Sequence, residues 1–258
     1  MAPLPDTWLK KAALEVQEYL YLCAAAFRGS VTLPFYRHDF VEQLDAIGVA
    51  STTVVLLTGF FTGAVMALQT GLTLDQFGAR PVVGRLVTAS MIRELGPVLT
   101  GLMLTGRVGS GIAAELGSMV VTDQINALRA LGTDPVRKLV VPRMLAGVIM
   151  APVLTVVSDF VGIVGGWLVA RFQLQVSSGL YWSSIRQQLY GPDIWMGFIK
   201  PLILGFVIVT IACRVGLRTT GGTQGVGRAT TVAVVAGSVG VIAMDFFLTR
   251  LLISLIYP

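Results

Sequence analysis

The stretch from residue 46 to residue 74, AIGVASTTVVLLTGFFTGAVMALQTGLTL, contains 29 residues and no charged side chain. As an α-helix it would be roughly 43 Å long, which exceeds the thickness of a bilayer's hydrocarbon core, about 30 Å. It therefore predicts a transmembrane helix. The whole chain of 258 residues is similar in character, since 54% is hydrophobic, 13% is charged and the mean hydropathy is +0.77. A soluble domain needs a larger polar surface and a disordered chain needs fewer apolar residues, so both classes are excluded.

Four further stretches of the chain are long and apolar, although each carries a few charged residues. They run over about 82–117, 139–170, 194–213 and 229–256. Together with the first stretch they predict an all-α, polytopic membrane protein with five transmembrane helices.

The first 40 residues form a separate predicted segment. Apolar residues recur at three- and four-residue spacing over 7–27, which predicts an amphipathic helix that lies in the membrane interface. The alternative is a cleaved signal peptide, but Glu15 and Glu18 within its apolar part argue against that alternative. We therefore expect an interfacial segment over 1–40 and a five-span domain over 41–258.

The positive charges are unevenly distributed between the two sides of this predicted bundle. With the N-terminus inside, the cytoplasmic segments hold eleven Lys and Arg residues and the outer loops hold four. The positive-inside rule therefore favours a cytoplasmic N-terminus and a C-terminus on the outer side. The formal net charge of +5 is interpreted as an orientation signal, and we expect no nucleic-acid partner.

The residues needed for most enzymatic chemistry are scarce in this chain. His38 is the single histidine, and the two cysteines, Cys23 and Cys213, lie in apolar stretches without metal-binding spacing. The sequence also lacks the G-x-x-x-x-G-K-[ST] pattern of an ATP-binding loop. We expect no catalytic residue, no metal site and no cofactor in this chain. If the protein transports a substrate and that transport needs energy, the energy comes from another subunit or from an ion gradient.

Ionisable residues inside the spans are the first candidates for a functional site, because such residues are costly in a bilayer. On the predicted topology five of them lie in the outer halves of their helices, and they are Arg93, Glu94, Asp159, Lys200 and Asp245. We expect them to form a charge network beside a site for a polar headgroup. The alternative is a set of structural ion pairs between helices.

The second span carries two further polar or helix-bending features. Pro97 cannot donate a hydrogen bond to the carbonyl of Arg93, which predicts a bend in the helix. Arg107 lies 14 residues after Arg93 and within about 40° of it around an ideal helix. We expect both arginines to face the bundle interior or a wet cavity.

The segment between the second and third spans contains a short predicted helix at about 119–135. Ile125, Leu128 and Leu131 fall three residues apart and give it one apolar face. Thr122 or Asp123 is expected to cap its start, and Gly132 followed by Pro135 is expected to end it. The helix either docks into a groove on a soluble partner or lies on the bilayer surface.

Three stretches of the sequence resemble the MlaE family, the permease subunits of bacterial ABC systems that move phospholipids between the inner and outer membranes. They are IRELGPVLTGLMLTGRVGSGIAAELG at 92–117, VTDQINALRALGTDPVRKLVVPR at 121–143 and GVGRATTVAVVAGSVGVIAMDFFLT at 225–249. The resemblance covers roughly residues 40–255.

The resemblance implies a homodimer in the bacterial inner membrane, with two ABC ATPase subunits that bind ATP and Mg on the cytoplasmic side. It also implies a ring of MCE-domain proteins on the outer side and a small STAS-domain protein on the ATPase. The implied lipid pocket opens outward at the dimer interface and is lined by the first two spans. Its residues are Met66, Thr73, Leu74, Phe77, Arg93, Glu94 and Leu95. The short helix matches the family's coupling helix, with the ATPase contacts expected at Asp123, Ile125, Leu128, Arg129 and Leu131.

Three alternative functions remain open at the level of the sequence. An ion-coupled secondary transporter would use Asp159 and Asp245 as proton carriers, although the chain lacks inverted repeats. A second alternative is a permease for another lipid or hydrophobic compound. The third is a membrane-embedded enzyme that acts on lipids, for which no catalytic constellation is evident.

Overall fold

The structure, a computed structural model, describes residues 8–31, 36–188 and 191–256, and these residues contain no β-strand. Short 3₁₀ turns lie at Val49–Ser51 and Arg80–Val82, and π-helical turns lie at Met91–Leu95, Thr105–Gly109 and Val136–Val140. The α-helices are α1 (Trp8–Val31), α2 (Arg37–Ile47), α3 (Thr52–Asp75), α4 (Val83–Ser90), α5 (Gly96–Leu104), α6 (Ser110–Val121), α7 (Gln124–Ala130), α8 (Val141–Phe172), α9 (Ser178–Gln188), α10 (Gly191–Leu217) and α11 (Gly222–Ile256).

The long helices confirm the prediction of an all-α, polytopic membrane protein. Among the described residues, four helical segments are long and apolar enough to cross a membrane by length and composition. They are Arg37–Asp75, Val136–Phe172, Gly191–Leu217 and Gly222–Leu255. The remaining predicted span, 82–117, is a helical path through α4, α5 and α6 that two π-helical turns interrupt. The number of five spans stays a prediction.

Two of the predicted spans begin earlier in the structure than their hydrophobicity indicates. α10 begins at Gly191 rather than at residue 194, and α11 begins at Gly222 rather than at residue 229. The first residues of both helices, 191–193 and 222–228, include polar residues. These residues lower the local hydropathy but do not prevent a helix from forming. α3 and α4 are joined by a short connection that ends in the 3₁₀ turn Arg80–Val82.

A stripe of small residues brings α3 and α8 into direct backbone contact. Gly59, Gly63, Ala67 and Gly71 recur every four residues on α3 and are all buried. A Cβ atom on Gly63 would lie only 1.9 Å from the carbonyl oxygen of Gly162 on α8. Small residues at this spacing let helices approach closely in a membrane, where burial of apolar side chains supplies little driving force.

The buried side chains form two apolar clusters. The larger joins α5, α6, α8 and α10 around residues such as Leu104, Leu116 and Leu204. The smaller, called here the α4–α9 cluster, contains Ala67, Val83, Val87, Met91, Ala170, Leu174, Val176, Tyr181 and Ile185. Because the first cluster spans most of the long helices, it holds together the helices that carry the candidate site.

α1 lies across one end of α10 and is fixed to it by polar contacts. Arg214 and Arg218 form ion pairs with Glu15 and Glu18, including a distance of 2.6 Å from Arg218 Nη1 to Glu15 Oε1. The hydrogen bond from Arg218 lowers the pKa of the Glu15 carboxyl. The apolar residues Val16, Leu20 and Phe27 of α1 remain exposed, which is the arrangement that an interfacial helix needs.

The contact of α3 with α8 predicts the response to one added methyl group. Gly63→Ala places a Cβ against a backbone carbonyl that cannot rotate away, so we expect a loss of about 1–3 kcal/mol of stability. The measurement is the midpoint of thermal unfolding in detergent.

Gly111→Ala is the matched control, because a Cβ on Gly111 of α6 meets no atom within 4 Å. Alanine favours a helix over glycine by up to about 1 kcal/mol, so this midpoint should stay constant or rise. Equal midpoints for the two variants would contradict the close α3–α8 contact.

Candidate functional site

Lys200 is the centre of an ion-pair network that joins three helical segments. The residue lies on α10 with 0% of its surface exposed. Its Nζ lies 2.7 Å from Glu94 Oε2 and 3.2 Å from Asp245 Oδ1, and it donates a hydrogen bond of 2.7 Å to the carbonyl oxygen of Arg93. The π-helical turn 91–95, α10 and α11 are therefore tied together by one ammonium group.

The side chain of Arg93 forms a second ion pair with α10. Its Nε donates a hydrogen bond of 2.7 Å to Asp193 Oδ1, and Asp193 is buried. Asp193 was not among the predicted site residues, because the apolar stretch that predicts this span begins one residue later, at 194. A usable signal was present, since Asp193 precedes Lys200 by seven residues, which places both on the same face of a helix.

Thr249 completes the network on α11. Its hydroxyl donates a hydrogen bond of 2.8 Å to the carbonyl oxygen of Asp245 and lies 3.2 Å from Glu94 Oε2. Thr249 was not among the predicted site residues. Its position one turn after Asp245 is the signal that could have identified it.

Asp159 is the member of the predicted charge layer that lies apart from these ion pairs. It is buried on α8, and its Oδ1 has no hydrogen-bond partner among the described residues. A Cβ atom on Gly96 would lie 1.8 Å from this oxygen, so the carboxyl packs against the start of α5. The structure thus brings Arg93, Glu94, Lys200 and Asp245 together, and it leaves Asp159 one helix away.

A π-helical turn presents Arg93 and Glu94 to α10. The turn spans Met91–Leu95 and ends where Gly96 and Pro97 begin α5. Pro97 has no backbone N–H to donate to the preceding turn of the helix. The hydrogen bond that is missing for this reason lies next to the π-helical turn. π-helical turns inside α-helices are frequent at functional sites.

Arg107 belongs to a different set of contacts. It lies within the second π-helical turn, Thr105–Gly109, and its Nη1 donates hydrogen bonds to Ala46 O at 3.1 Å and to Ser51 Oγ at 2.8 Å. These partners precede α3, whereas the partners of Arg93 lie on α10. The two arginines therefore hold two different helices against the second predicted span.

A cavity of about 370 Å³ opens beside the charge network. Arg93 and Glu94 form its polar part, and the remaining lining residues are Leu86, Ala89, Ser90, Met196 and Ile253. A cavity of this size and mixed polarity is typical of a ligand site. No group of three or more His, Cys, Asp or Glu residues within the described ranges could hold a metal ion.

The other predicted pocket residues lie around the end of α3. Met66, Leu74 and Leu95 are partly buried and pack against the α4–α9 cluster. Thr73 is exposed, and its hydroxyl donates a hydrogen bond of 3.0 Å to Gln69 O within α3. Phe77 is 76% exposed in the turn after α3.

The predicted coupling helix is α7, and its three predicted apolar residues differ in burial. Ile125 is 5% exposed and Leu128 packs against the larger cluster, whereas Leu131 is 79% exposed. Arg129 is also exposed. α7 is therefore anchored to the bundle on one side and presents Leu131 and Arg129 on the other.

The ends of α7 agree only in part with the predicted caps. Asp123 precedes the helix at φ 58°, and its carboxylate accepts a hydrogen bond of 2.9 Å from Asn126 Nδ2. The hydroxyl of Thr122 donates to Ser118 O. The predicted side-chain cap is wrong, because both side chains bond elsewhere. The predicted glycine stop is confirmed, since Gly132 has φ 74° and follows the last turn.

An ion pair between a buried arginine and an exposed glutamate braces the helices on either side of α7. Arg143 on α8 is buried and lies 2.6 Å from Glu115 Oε1 on α6. Its other terminal nitrogen donates a hydrogen bond of 2.6 Å to Leu139 O. The two helices that flank α7 are therefore tied to each other by this ion pair.

The network predicts a large effect of removing its central charge. Lys200→Met leaves the carboxylate of Asp245, which is 14% exposed, and that of Glu94, which is 41% exposed, without their cation. The loss of one partner of a fully buried pair costs about 3–5 kcal/mol, and the partial exposure of Glu94 lowers the expected cost below that range. We expect a clear decrease in the midpoint of thermal unfolding in detergent.

Lys138→Met is the matched control. Lys138 forms an ion pair with Asp39, and both side chains are partly exposed. A pair of that kind is worth about 1 kcal/mol or less. If Lys138→Met lowers the midpoint as much as Lys200→Met, the network does not hold the bundle together.

Comparison with known proteins identifies the family. The family model for the permease MlaE matches residues 40–251. A probable ABC transporter permease protein of Rickettsia conorii is 41% identical over 241 residues, which cover 93% of each chain. The intermembrane phospholipid transport system permease protein MlaE of Haemophilus influenzae is 39% identical over 213 residues, 82% of each chain. The chloroplastic protein trigalactosyldiacylglycerol 1 of Arabidopsis thaliana is 36% identical over 209 residues, 81% of this chain and 60% of the plant protein.

The match to the family model extends from α2 to α11 and includes every residue of the ion-pair network. The matched regions of the Rickettsia conorii and Haemophilus influenzae relatives cover 93% and 82% of this chain. The chain belongs to the MlaE permease family.

Proposed function

We propose that this chain is the membrane subunit of an ABC transporter that moves phospholipids between the inner and outer membranes. The observation that carries the proposal is the cavity beside the charge network, which combines Arg93 and Glu94 with apolar walls. A phospholipid needs this combination, because its phosphate binds a guanidinium and its acyl chains need apolar contacts. The name of the Haemophilus influenzae relative supports the same substrate class.

The lipid site that we propose extends from the charge network to the end of α3. Arg93 serves the phosphate, and the partly buried Met66, Leu74 and Leu95 serve the acyl chains. Methionine suits this task because its flexible thioether adapts to irregular shapes. Thr73 and Phe77 lie at the exposed edge of this region, where the second protomer of a homodimer would complete the pocket.

The proposed source of energy is a partner ATPase that binds ATP and Mg and docks on α7. Leu131 and Arg129 are the exposed contacts, and Asp123 sets the entry of the chain into the helix. Ile125 and Leu128 pass the movement to the larger cluster. ATP binding then shifts the population between two packings of the dimer, one open to lipid and one that expels it.

We further propose a cytoplasmic N-terminus, a C-terminus on the outer side and a location in the bacterial inner membrane. The distribution of Lys and Arg along the chain supports this orientation. The expected partners are a second copy of the chain, a ring of MCE-domain proteins on the outer side and a STAS-domain protein bound to the ATPase. Family membership supports the ATPase and the MCE-domain proteins among these partners.

One observation favours an ion-coupled transporter as a second candidate. The buried Asp159 lies outside the ion pairs, as a carboxyl that carries a proton would, whereas Asp245 is paired with Lys200. The two functions differ in their energy source. Lipid transfer in proteoliposomes that needs ATP and persists without an ion gradient supports the ABC permease.

The exposure of Leu131 predicts a specific loss of the ATPase. Leu131→Glu places a charge on the proposed docking surface without disturbing the bundle, so we expect the co-expressed ATPase to be lost on purification while the thermal midpoint stays constant. Leu180→Glu on α9 is the matched control, because Leu180 is also exposed and lies in a predicted outer loop. Retention of the ATPase by Leu131→Glu would argue against docking on α7.

The cavity predicts that phospholipid stays bound during purification. After purification without added lipid, mass spectrometry should detect phospholipid and the ATPase together with this chain. Ala89→Trp fills the cavity and should reduce the bound lipid, whereas Ala25→Trp on the exposed side of α1 should not. A protein that purifies with neither lipid nor ATPase would contradict the proposed function.

A further inference from the structure

A second cavity, of about 560 Å³, lies at the other end of α10 from the charge network. It opens where α1 crosses the end of α10 and the start of α11. Its lining residue Arg214 follows Lys200 by 14 residues, which is roughly 20 Å along the helix. The two cavities are therefore separate sites in the same protomer.

The lining of this second cavity changes from cationic to apolar along both helices. Arg218 lines the cavity just after the C-terminal end of α10, and Ile211 lines it two helical turns earlier in the same helix. On α11, Arg228 lies near the start and Val232 and Ala236 follow on the same face. A phospholipid has the same order of chemistry, with a phosphate followed by acyl chains.

The cationic end carries more positive charge than its neighbours neutralise. Arg214 and Arg218 are paired with Glu15 and Glu18. Arg228 also lines the cavity, and it forms no ion pair with any residue that the structure describes. Three guanidinium groups against two carboxylates leave one surplus positive charge.

The turn between α10 and α11 adds hydrogen-bond donors at the same end. Gly221 and Gly222 have φ 90° and φ 65°, a conformation that glycine adopts without strain, and the sharp turn lets α11 begin beside the end of α10. The turn residues Thr219 and Thr220 line the cavity together with Gly225 in the first turn of α11. Hydroxyl groups close to guanidinium groups are well suited to phosphate oxygens.

We propose that this second cavity binds one anionic glycerophospholipid, with Arg228 as a ligand of the phosphate and with Ile211, Val232 and Ala236 along an acyl chain. A headgroup with one net negative charge matches the surplus, whereas a zwitterionic headgroup brings its own ammonium group towards the arginines. The exposed apolar residues of α1 place this end of the bundle at a bilayer surface. That the surface is the cytoplasmic one rests on the proposed function, but the binding itself does not.

α1 closes one side of the site. Glu15 and Tyr19 line the cavity from α1, and Tyr19 Oη lies 2.8 Å from Thr210 Oγ1 on α10. Arg214 and Arg218 pair with Glu15 across the same boundary, so α1 and α10 together enclose the cationic end of the cavity.

The test uses the full chain in detergent, titrated with phosphatidylglycerol or phosphatidylcholine and followed by native mass spectrometry. We expect phosphatidylglycerol to bind more tightly. Arg228→Gln should weaken its binding about tenfold, since a hydrogen bond to a charged group is worth on the order of 1.4 kcal/mol or more. Arg228→Lys should retain most of the affinity, and Arg186→Gln on α9 should leave it unchanged.

A second variant and a competitor separate this proposal from its rivals. Ala236→Trp fills the apolar end and should weaken phosphatidylglycerol binding while Arg228 is intact. Inorganic phosphate in excess should not displace the lipid. Equal binding of the two lipids, no effect of Arg228→Gln, or displacement by phosphate combined with no effect of Ala236→Trp would each overturn the proposal.

Failure of this proposal is distinguishable from failure of the proposed function. Ala89→Trp fills the cavity beside the charge network and should leave the preference for phosphatidylglycerol unchanged. If that preference disappears with Ala89→Trp and persists with Arg228→Gln, the anionic lipid occupies the first cavity, and the second-site proposal is wrong while the transport function is unaffected.

Discussion

Where Gly63 of α3 meets Gly162 of α8, two helix backbones touch with no side chain between them. In a bilayer the lipid tails are as apolar as the protein surface, so helices associate through close packing and polar contacts rather than through burial alone. The four-residue repeat of small residues on α3 supplies such packing over the length of the helix. It fixes the distance between these two helices, and the apolar side chains on the opposite face of α3 remain exposed for lipid.

The charge network performs the corresponding task for the second predicted span, α10 and α11. An ammonium group buried in a membrane is costly unless it is paired. Lys200 meets that requirement with two carboxylates and a carbonyl oxygen from two other segments. These segments are therefore held in one arrangement by polar contacts, whereas α3 and α8 are held by shape. A membrane permease that changes conformation needs a rigid part, such as the packed pair of α3 and α8. It also needs a part whose polar contacts can exchange, such as the segments joined by Lys200.

Much of this arrangement could be predicted from the sequence, and what could not has identifiable physical causes. Hydropathy predicted the long helices because every bilayer span must satisfy its own backbone, and the rarity of intramembrane charges singled out Lys200 and its partners. Asp193 was not predicted because it stands at the polar edge of the apolar stretch, whereas α10 continues through this edge to Gly191. The π-helical turns depend on tertiary packing and have no clear sequence signal, so the separate partners of Arg93 and Arg107 could not be inferred. The small residues of α3 recur every four positions, which indicates a close helix–helix contact. This pattern was overlooked because the large apolar residues between them drew attention to the length of the span.

The geometry of α7 has a consequence for how relatives diverge. A left-handed residue stands at each end, Asp123 before the helix and Gly132 after it, and Ile125 anchors the middle. Together with Leu128, which packs against the larger cluster, these positions hold the helix against the bundle, whereas Arg129 and Leu131 are exposed. The exposed side of α7 can therefore change in sequence along with the surface of a partner, while the position of the helix on the bundle stays the same. Exchange of these exposed residues between relatives could change which partner is accepted without altering the bundle beneath.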